Sequence, residues 1–171
     1  MFRALFARLT GEPTRGQELF GIAVDEARKT HWFVEGQVPD TVNGRFAVLA
    51  TVVALMTVRL EREGDAGRHA TVALTERLVE TLDAEIREMG LGEPALGKQV
   101  RKLVGAVGRR VERWRLIVEG DRPWTEEVQR SVYAGDEAPA GALAHSESRL
   151  RTMWGRLGAS KIEDLCEGRM R

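Results

Sequence analysis

The sequence predicts an all-α fold: a single-domain irregular helical bundle built round a largely apolar central helix. Three observations predict it. Apolar residues recur at three- and four-residue spacing nearly everywhere, and no alternating strand pattern persists. Glycines and prolines mostly fall between these periodic stretches, where they stop and start helices. The 171 residues, 43% hydrophobic and 30% charged, suit one folded domain with its own core.

The elements follow in chain order. Residues 1–12 form a short amphipathic N-terminal helix, with Phe2, Leu5, Phe6 and Leu9 at i, i+3, i+4 and i+7 and with Arg3 and Arg8 off the stripe. Such a helix packs on a bundle or gives a weak foothold on a membrane surface. Residues 13–120 form the helical core. Pro13 and Thr14 open its first helix, with Gln17 in the capping-box position. Leu19, Phe20, Ala23, Val24 and Ala27 are its buried side, and it runs to about Thr30, with His31, Trp32 and Phe33 as an aromatic exit. After the loop Glu35–Pro39, Asp40 or Thr41 caps a helix with the stripe Val42, Phe46, Leu49, Val53, Met56 and Leu60. Val48, Val52, Leu55 and Val58 widen that stripe round most of the cylinder, which places this helix at the centre.

Gly64 and Gly67 break the chain before a helix carrying Leu74, Leu78, Leu82, Ile86 and Met89, with Asp83 and Arg87 as an i, i+4 ion pair. Gly90 and Gly92 end it, and Pro94 starts the next. In that helix Leu96, Val100, Leu103, Val107, Val111, Trp114 and Val118 share one side. Lys98, Lys102, Arg109 and Arg113 cluster within about 60° on the other, a candidate face for an anionic partner. Gly105 and Gly108 each weaken this helix by about 1 kcal/mol relative to alanine, so close approach of a neighbouring backbone is expected there. Residues 121–171 form a C-terminal helical extension packed on the core. It holds Val128, Val132, Leu143, Leu150, Trp154 and Leu157, and ends in a capping box of Ser160 and Glu163.

Composition narrows the function. Lysine plus arginine equals aspartate plus glutamate, 26 each, so global charge marks neither a nucleic-acid binder nor an acidic tail. The single cysteine, Cys166, allows no internal disulfide and suits a reducing compartment. It reads as a small, partly buried side chain. The three histidines and Cys166 show no metal-ligand spacing, so no metal and no cofactor is expected. The uncharged run Phe46–Val58 is shorter than the roughly 20 residues that a membrane helix needs. No signal peptide is visible at residues 1–10. Ser146 adjoins His145, but no motif adds an orienting acid or an oxyanion site. No catalytic residue is therefore assigned, and a protein-binding role is expected.

Two segments then read together as a family signature. The first is Val38-Pro39-Asp40-Thr41 followed by Gly44-Arg45-Phe46. The second is Asp83, then Arg87-Glu88-Met89-Gly90-Leu91-Gly92-Glu93, then Gly97-Lys98, and later Gly108-Arg109. Their order and spacing over roughly residues 15–118 resemble the ubiquinol–cytochrome c chaperone family. The chain departs from the family pattern at Ala50, Thr51 and Val107, and no matching motif follows Gly120. The resemblance implies a non-enzymatic assembly factor for ubiquinol–cytochrome c reductase, the third respiratory complex. Its implied client is nascent or newly inserted cytochrome b, with a second assembly factor, the ribosome and weak peripheral membrane contact as further partners. It also implies a bacterial cytoplasm, at the periphery of the inner membrane. Candidate partner-binding residues are Val38, Pro39, Asp40, Thr41, Gly44, Arg45, Phe46, Gly90 and Gly92. Arg45 stands out as a cation in a first helical turn, where the dipole disfavours it, so a carboxylate of the fold or a client should hold it. Two rival readings stand beside this one: a ribosome- or RNA-associated adaptor, based on the basic face, and a haem-handling protein.

Overall fold

The helices are α1 (Gln17–Ala27), α2 (Val42–Leu60), α3 (Gly64–Glu88), α4 (Glu93–Val118), α5 (Trp124–Val132), α6 (Ala140–Ala159) and α7 (Ile162–Cys166). Short 3₁₀ turns lie at Thr30–Trp32 and Glu61–Glu63. The computed structural model describes residues 16–88, 90, 93–120 and 122–171. The N-terminal amphipathic stretch, Pro13, Thr14, Met89, Leu91 and Gly92 lie outside the described residues.

Thr41 starts the helix round which the others pack. Its hydroxyl accepts the Gly44 amide at 3.2 Å, the N-cap bond that satisfies one of the open donors of the first turn. Gly44 is itself dictated by space, because a Cβ there would run into the Pro39 carbonyl. From Ala50 to Leu60 every residue of α2 is buried. Helices α1, α3, α4, α5 and α6 all pack against it. Thr51 lies inside without cost in unpaired groups, since its hydroxyl donates to the Ala47 carbonyl at 2.7 Å. The apolar run within Val42–Glu88 is long and apolar enough to cross a membrane by composition alone, and 67% of that stretch is buried within the fold, as in a core helix.

The start of α2 corrects the stripe drawn from the sequence. Val42 is 69% exposed, and Phe46 and Leu49 are only partly buried. Phe46 and Leu49 pack against the core from its edge, and only Val42 of this stretch stands open. Further along, Gly64 (φ +60°) and the buried Gly67 turn the chain back into α3, and a Cβ at Gly67 would strike the Leu60 carbonyl. The break falls at Gly64, the first residue of α3 and the one with positive φ, whereas Gly67 lies within that helix.

Helix α4 lays Leu96, Val107, Trp114 and Ile117 into the core, with Val100, Leu103, Val104, Val111 and Val118 half-buried round them. Trp114 is fully buried and meets Trp124 of α5 edge to face, with centroids 5.1 Å apart. Gly105 and Gly108 do not mark a close backbone approach. A Cβ at Gly108 would meet nothing within 4 Å, and at Gly105 it would meet only the end of Arg109. Helices α5 and α6 pack on each other and on α2, and α7 reaches α1 and α3. Arg59, 8% exposed, ties this part to the centre: it donates to the Leu157 carbonyl at 3.0 Å and the Ser160 carbonyl at 3.1 Å, at the end of α6. Ser160 does not cap α7, since its hydroxyl donates to the Arg156 carbonyl and accepts the Arg171 amide.

Candidate partner-binding surfaces

The turn before α2 combines a rigid inside with an open outside. Val38 and Gly44 are buried within this chain and build the turn from the inside. Pro39, Asp40, Thr41 and Arg45 are exposed. The Arg45 guanidinium donates to Asp40 at 2.6 Å and lies 5.5 Å from the centre of the Phe33 ring. The expected carboxylate is thus within the fold, five residues earlier, and its hydrogen bond and charge raise the Arg45 pKa further. Val34 precedes this pair in sequence and Val42 lies between its members, and the two are 67% and 69% exposed. Apolar side chains open to solvent beside a hydrogen-bonded charge pair form a surface suited to another protein.

Beneath this turn, Trp32 is fully buried and donates from its indole to the Glu26 carbonyl at 2.9 Å. The Tyr133 hydroxyl donates to the Gly36 carbonyl at 2.6 Å and lies 2.8 Å from the Ser146 hydroxyl. Its burial pushes the Tyr133 pKa up. Ser146 is fully buried and bonded to Tyr133, while His145 is hydrogen-bonded to His31 at 3.2 Å. The serine and histidine adjacent in sequence are therefore not a nucleophile and its base.

The basic side of α4 divides. Lys98, Lys102 and Arg109 are exposed and form no ion pair among the described residues. Arg113 does not belong with them. Its Nε donates to both carboxylate oxygens of Glu127 on α5, at 2.8 and 3.0 Å, and Glu127 is 2% exposed. Ser131 also donates to that carboxylate, and Arg130 lies 3.4 Å from it. Arg110 faces the same joint and donates to the Ser131 carbonyl at 2.9 Å. Burial and the neighbouring Arg113 lower its pKa. Arg115 pairs with Glu61 at 2.9 Å. The strip opposite the core is three cations long rather than four, because Glu127 draws Arg113 into the α4–α5 joint.

Between α3 and α4 runs a groove of about 310 Å³. Val53 and Thr57 of α2 form its floor, Thr75 and Leu78 one wall, and Val104, Val107 and Val111 the other. Gly108 opens onto it, which gives that glycine a role that close packing does not: a side chain there would stand in the groove. Gly90, with φ +80° and its amide bonded to the Arg87 carbonyl at 3.0 Å, ends α3 at one end of this pair of helices. Gly92 lies outside the described residues. Cys166 is exposed rather than partly buried, and desolvation with Glu163 and Glu167 pushes its thiol pKa up, away from reactivity. Among the described residues no three His, Cys, Asp or Glu side chains converge on a point that would hold a metal.

Sequence reasoning missed Arg59, Tyr133 and Glu127. Each bonds to a residue distant in sequence or across a turn, so no local pattern marks it.

The fold and sequence have relatives. A search of curated proteins finds no match. Among solved structures, the crystal structure of the Cbp3 homolog from Brucella abortus is similar to this chain, with a TM-score of 0.71 at 22% identity. The match covers 98% of this chain and 94% of that one, a likeness of fold. The family described as Ubiquinol-cytochrome C chaperone matches residues 34–171. That match runs through α5, α6 and α7, where no motif was recognised in the sequence. By this match over most of its length, the chain belongs to the ubiquinol–cytochrome c chaperone family.

Proposed function

We propose that this protein is a non-enzymatic assembly factor for ubiquinol–cytochrome c reductase that binds newly made cytochrome b. The family match over residues 34–171 carries the reading. Two surfaces support it. The groove between α3 and α4 mixes apolar Val53, Leu78, Val104, Val107 and Val111 with Thr57, Thr75, Glu112 and Arg115, a lining that suits apolar side chains of a partner with a polar edge. The exposed Val34 and Val42 beside Asp40 and Arg45 offer an apolar contact with a charged rim, suited to a second assembly factor or to the client. Work of this kind belongs in the cytoplasm of a bacterium, at the inner face of the membrane, where the client inserts.

Deleting the gene should lower assembled ubiquinol–cytochrome c reductase and leave the other respiratory complexes at their usual levels. Tagged protein from detergent-solubilised membranes should bring down cytochrome b. Normal cytochrome b spectra in the deletion strain would overturn the proposal.

A second reading rests on one observation, the exposed cations Lys98, Lys102 and Arg109 on one side of α4. They suit ribosomal RNA, and with it an adaptor that needs no respiratory client. Ribosome association that persists when cytochrome b is not synthesised would favour that reading.

A further inference from the structure

The floor of the groove between α3 and α4 holds a polar group with nothing to bond. Thr57 is 7% exposed and borders the open space, and its hydroxyl makes no hydrogen bond among the described residues. Three other helical threonines satisfy theirs locally: Thr51, Thr75 and Thr152 each donate to the carbonyl four residues back. Round Thr57 the lining is apolar, with Val53, Leu78, Val104, Val107 and Val111. A hydroxyl so enclosed costs free energy until a partner reaches it.

The rim carries one free charge. Glu112 of α4 lines the groove, is exposed and forms no ion pair among the described residues. The two nearest cations along the helix are turned elsewhere. Arg115 is held by Glu61 at 2.9 Å, and the Arg109 guanidinium lies back over Gly105. Gly108 keeps the α4 wall low, since a Cβ there would meet nothing within 4 Å, and a helix backbone can come close on that side.

These features select an occupant. It is apolar along the face that meets the valines, it brings one hydrogen-bonding side chain to Thr57, and it carries a cation toward Glu112. A membrane-spanning helix before assembly has all three: apolar faces, a polar residue that awaits a neighbouring helix, and lysine or arginine at its cytoplasmic end. We infer that this groove holds an unassembled membrane-spanning helix by a polar side chain in its apolar face, bonded to Thr57, with the basic flank of that helix set against Glu112. The inference rests on the client reading above and adds the kind of segment that is held.

The test uses the full chain and dye-labelled leucine–alanine peptides of about 20 residues. Each has a pair of lysines or of glutamates at one end, and an asparagine or a leucine two helical turns from that end. Binding is read by fluorescence anisotropy, and wild type should prefer lysine ends to glutamate ends. Thr57→Val should shift the ratio of asparagine- to leucine-peptide affinity about fivefold toward leucine. Glu112→Lys should reverse the preference between the two kinds of end. Gly108→Leu should abolish binding of every peptide by filling the groove. It should leave the urea midpoint no lower than that of wild type, because leucine is the better helix former and its side chain enters open space. Affinity ratios that ignore both Thr57 and Glu112 would overturn the inference, as would binding that survives Gly108→Leu. If no peptide binds while the tagged chain still brings down cytochrome b, the groove inference falls and the client reading stands. If the peptides bind as expected while the deletion strain assembles the complex normally, the client reading falls and the groove serves the helix of another membrane protein.

Discussion

Two arginine–carboxylate pairs, one at the start of α2 and one between α4 and α5, have opposite consequences. Arg113 and Glu127 join α4 to α5, and the carboxylate is 2% exposed, held by the guanidinium at two distances and by the Ser131 hydroxyl. Arg45 and Asp40 sit in the turn before α2, with side chains 61% and 57% exposed. The chemistry is the same and the surroundings differ. A buried carboxylate depends on its partners, because nothing else solvates it. An exposed pair is solvated in either state and contributes little to stability. The buried pair therefore builds the molecule, and the exposed one remains free to exchange its partner for another protein's charge.

The largest effect should follow from breaking the buried pair on one side only. Arg113→Ala leaves the buried Glu127 with the Ser131 hydroxyl and the more exposed Arg130 at 3.4 Å, and should cost about 3 kcal/mol in urea unfolding, the low end for a buried charge that loses a partner. Arg113→Lys keeps the charge, loses the fork and should recover part of that loss. An Arg113→Ala chain as stable as wild type would break the comparison at its root, because the joint would then hold without its ions.

How much of this was legible follows the distance between partners. The all-round apolar surface of α2, the Thr41 cap and the Gly90 stop depend on neighbours within a few residues, and each can be read from spacing. Arg45 is instructive because its misfit with the helix dipole called for a carboxylate, and Asp40 supplies it. Arg113 is the opposite case. Helical periodicity puts it with Lys98, Lys102 and Arg109, and only the fold of α5 against α4 brings Glu127 to it. Arg59 reaches carbonyls about a hundred residues away, at Leu157 and Ser160. Val42 fails for a further reason: periodicity marks which side of a helix is apolar, but not where the neighbouring helix stops.

A contact of intermediate burial sharpens the comparison. His31, in the 3₁₀ turn, and His145 of α6 are hydrogen-bonded at 3.2 Å, with rings crossed edge to face. Desolvation lowers the His31 pKa below 6.5, and Arg149, His145 and Lys29 lower it further while Glu26 opposes them. A histidine whose pKa is lowered by folding binds fewer protons folded than unfolded. Its stabilisation is complete above about pH 6.5 and declines as the pH falls from there toward the folded pKa. As the pH falls from about 7 to about 5, wild type should lose more stability than His31→Gln. Equal pH slopes in urea unfolding would remove His31 from the account.

Arg45→Ala should affect the fold less again. Its pair with Asp40 and its place over Phe33 are solvent-exposed, so the thermal midpoint should stay close to that of wild type. Assembly of ubiquinol–cytochrome c reductase should nevertheless fall, because the turn would lose the charge that it presents beside Val34 and Val42. If assembly falls only as far as unfolding explains, the exposed pair is structural too, and the contrast with Arg113 disappears.

The smallest effect on the fold is expected at Lys102 and Arg109. Both are exposed on α4, away from Trp114 and Val107, and neither has an ionic partner among the described residues. Lys102→Glu with Arg109→Glu should therefore unfold as wild type does. Repulsion among the three free cations is itself small, because salt screens it over about 8 Å. The strip can meet an anionic partner only with Lys98, Lys102 and Arg109, since Arg113 is already committed to Glu127. That count bounds the salt dependence. Each phosphate that the strip neutralises contributes a slope of about −0.7 to −0.9 to log association against log salt. Three cations cannot give more than about −2 to −3, and a steeper slope would mean that other residues take part. The double variant should abolish most of that slope along with the binding of ribosomes or of anionic vesicles, and comparing those two partners identifies which one the strip serves. Unchanged binding to both at low salt by a well-folded double variant would leave the strip as ordinary solvated surface, and the exposed side of the comparison would then rest on Arg45 alone.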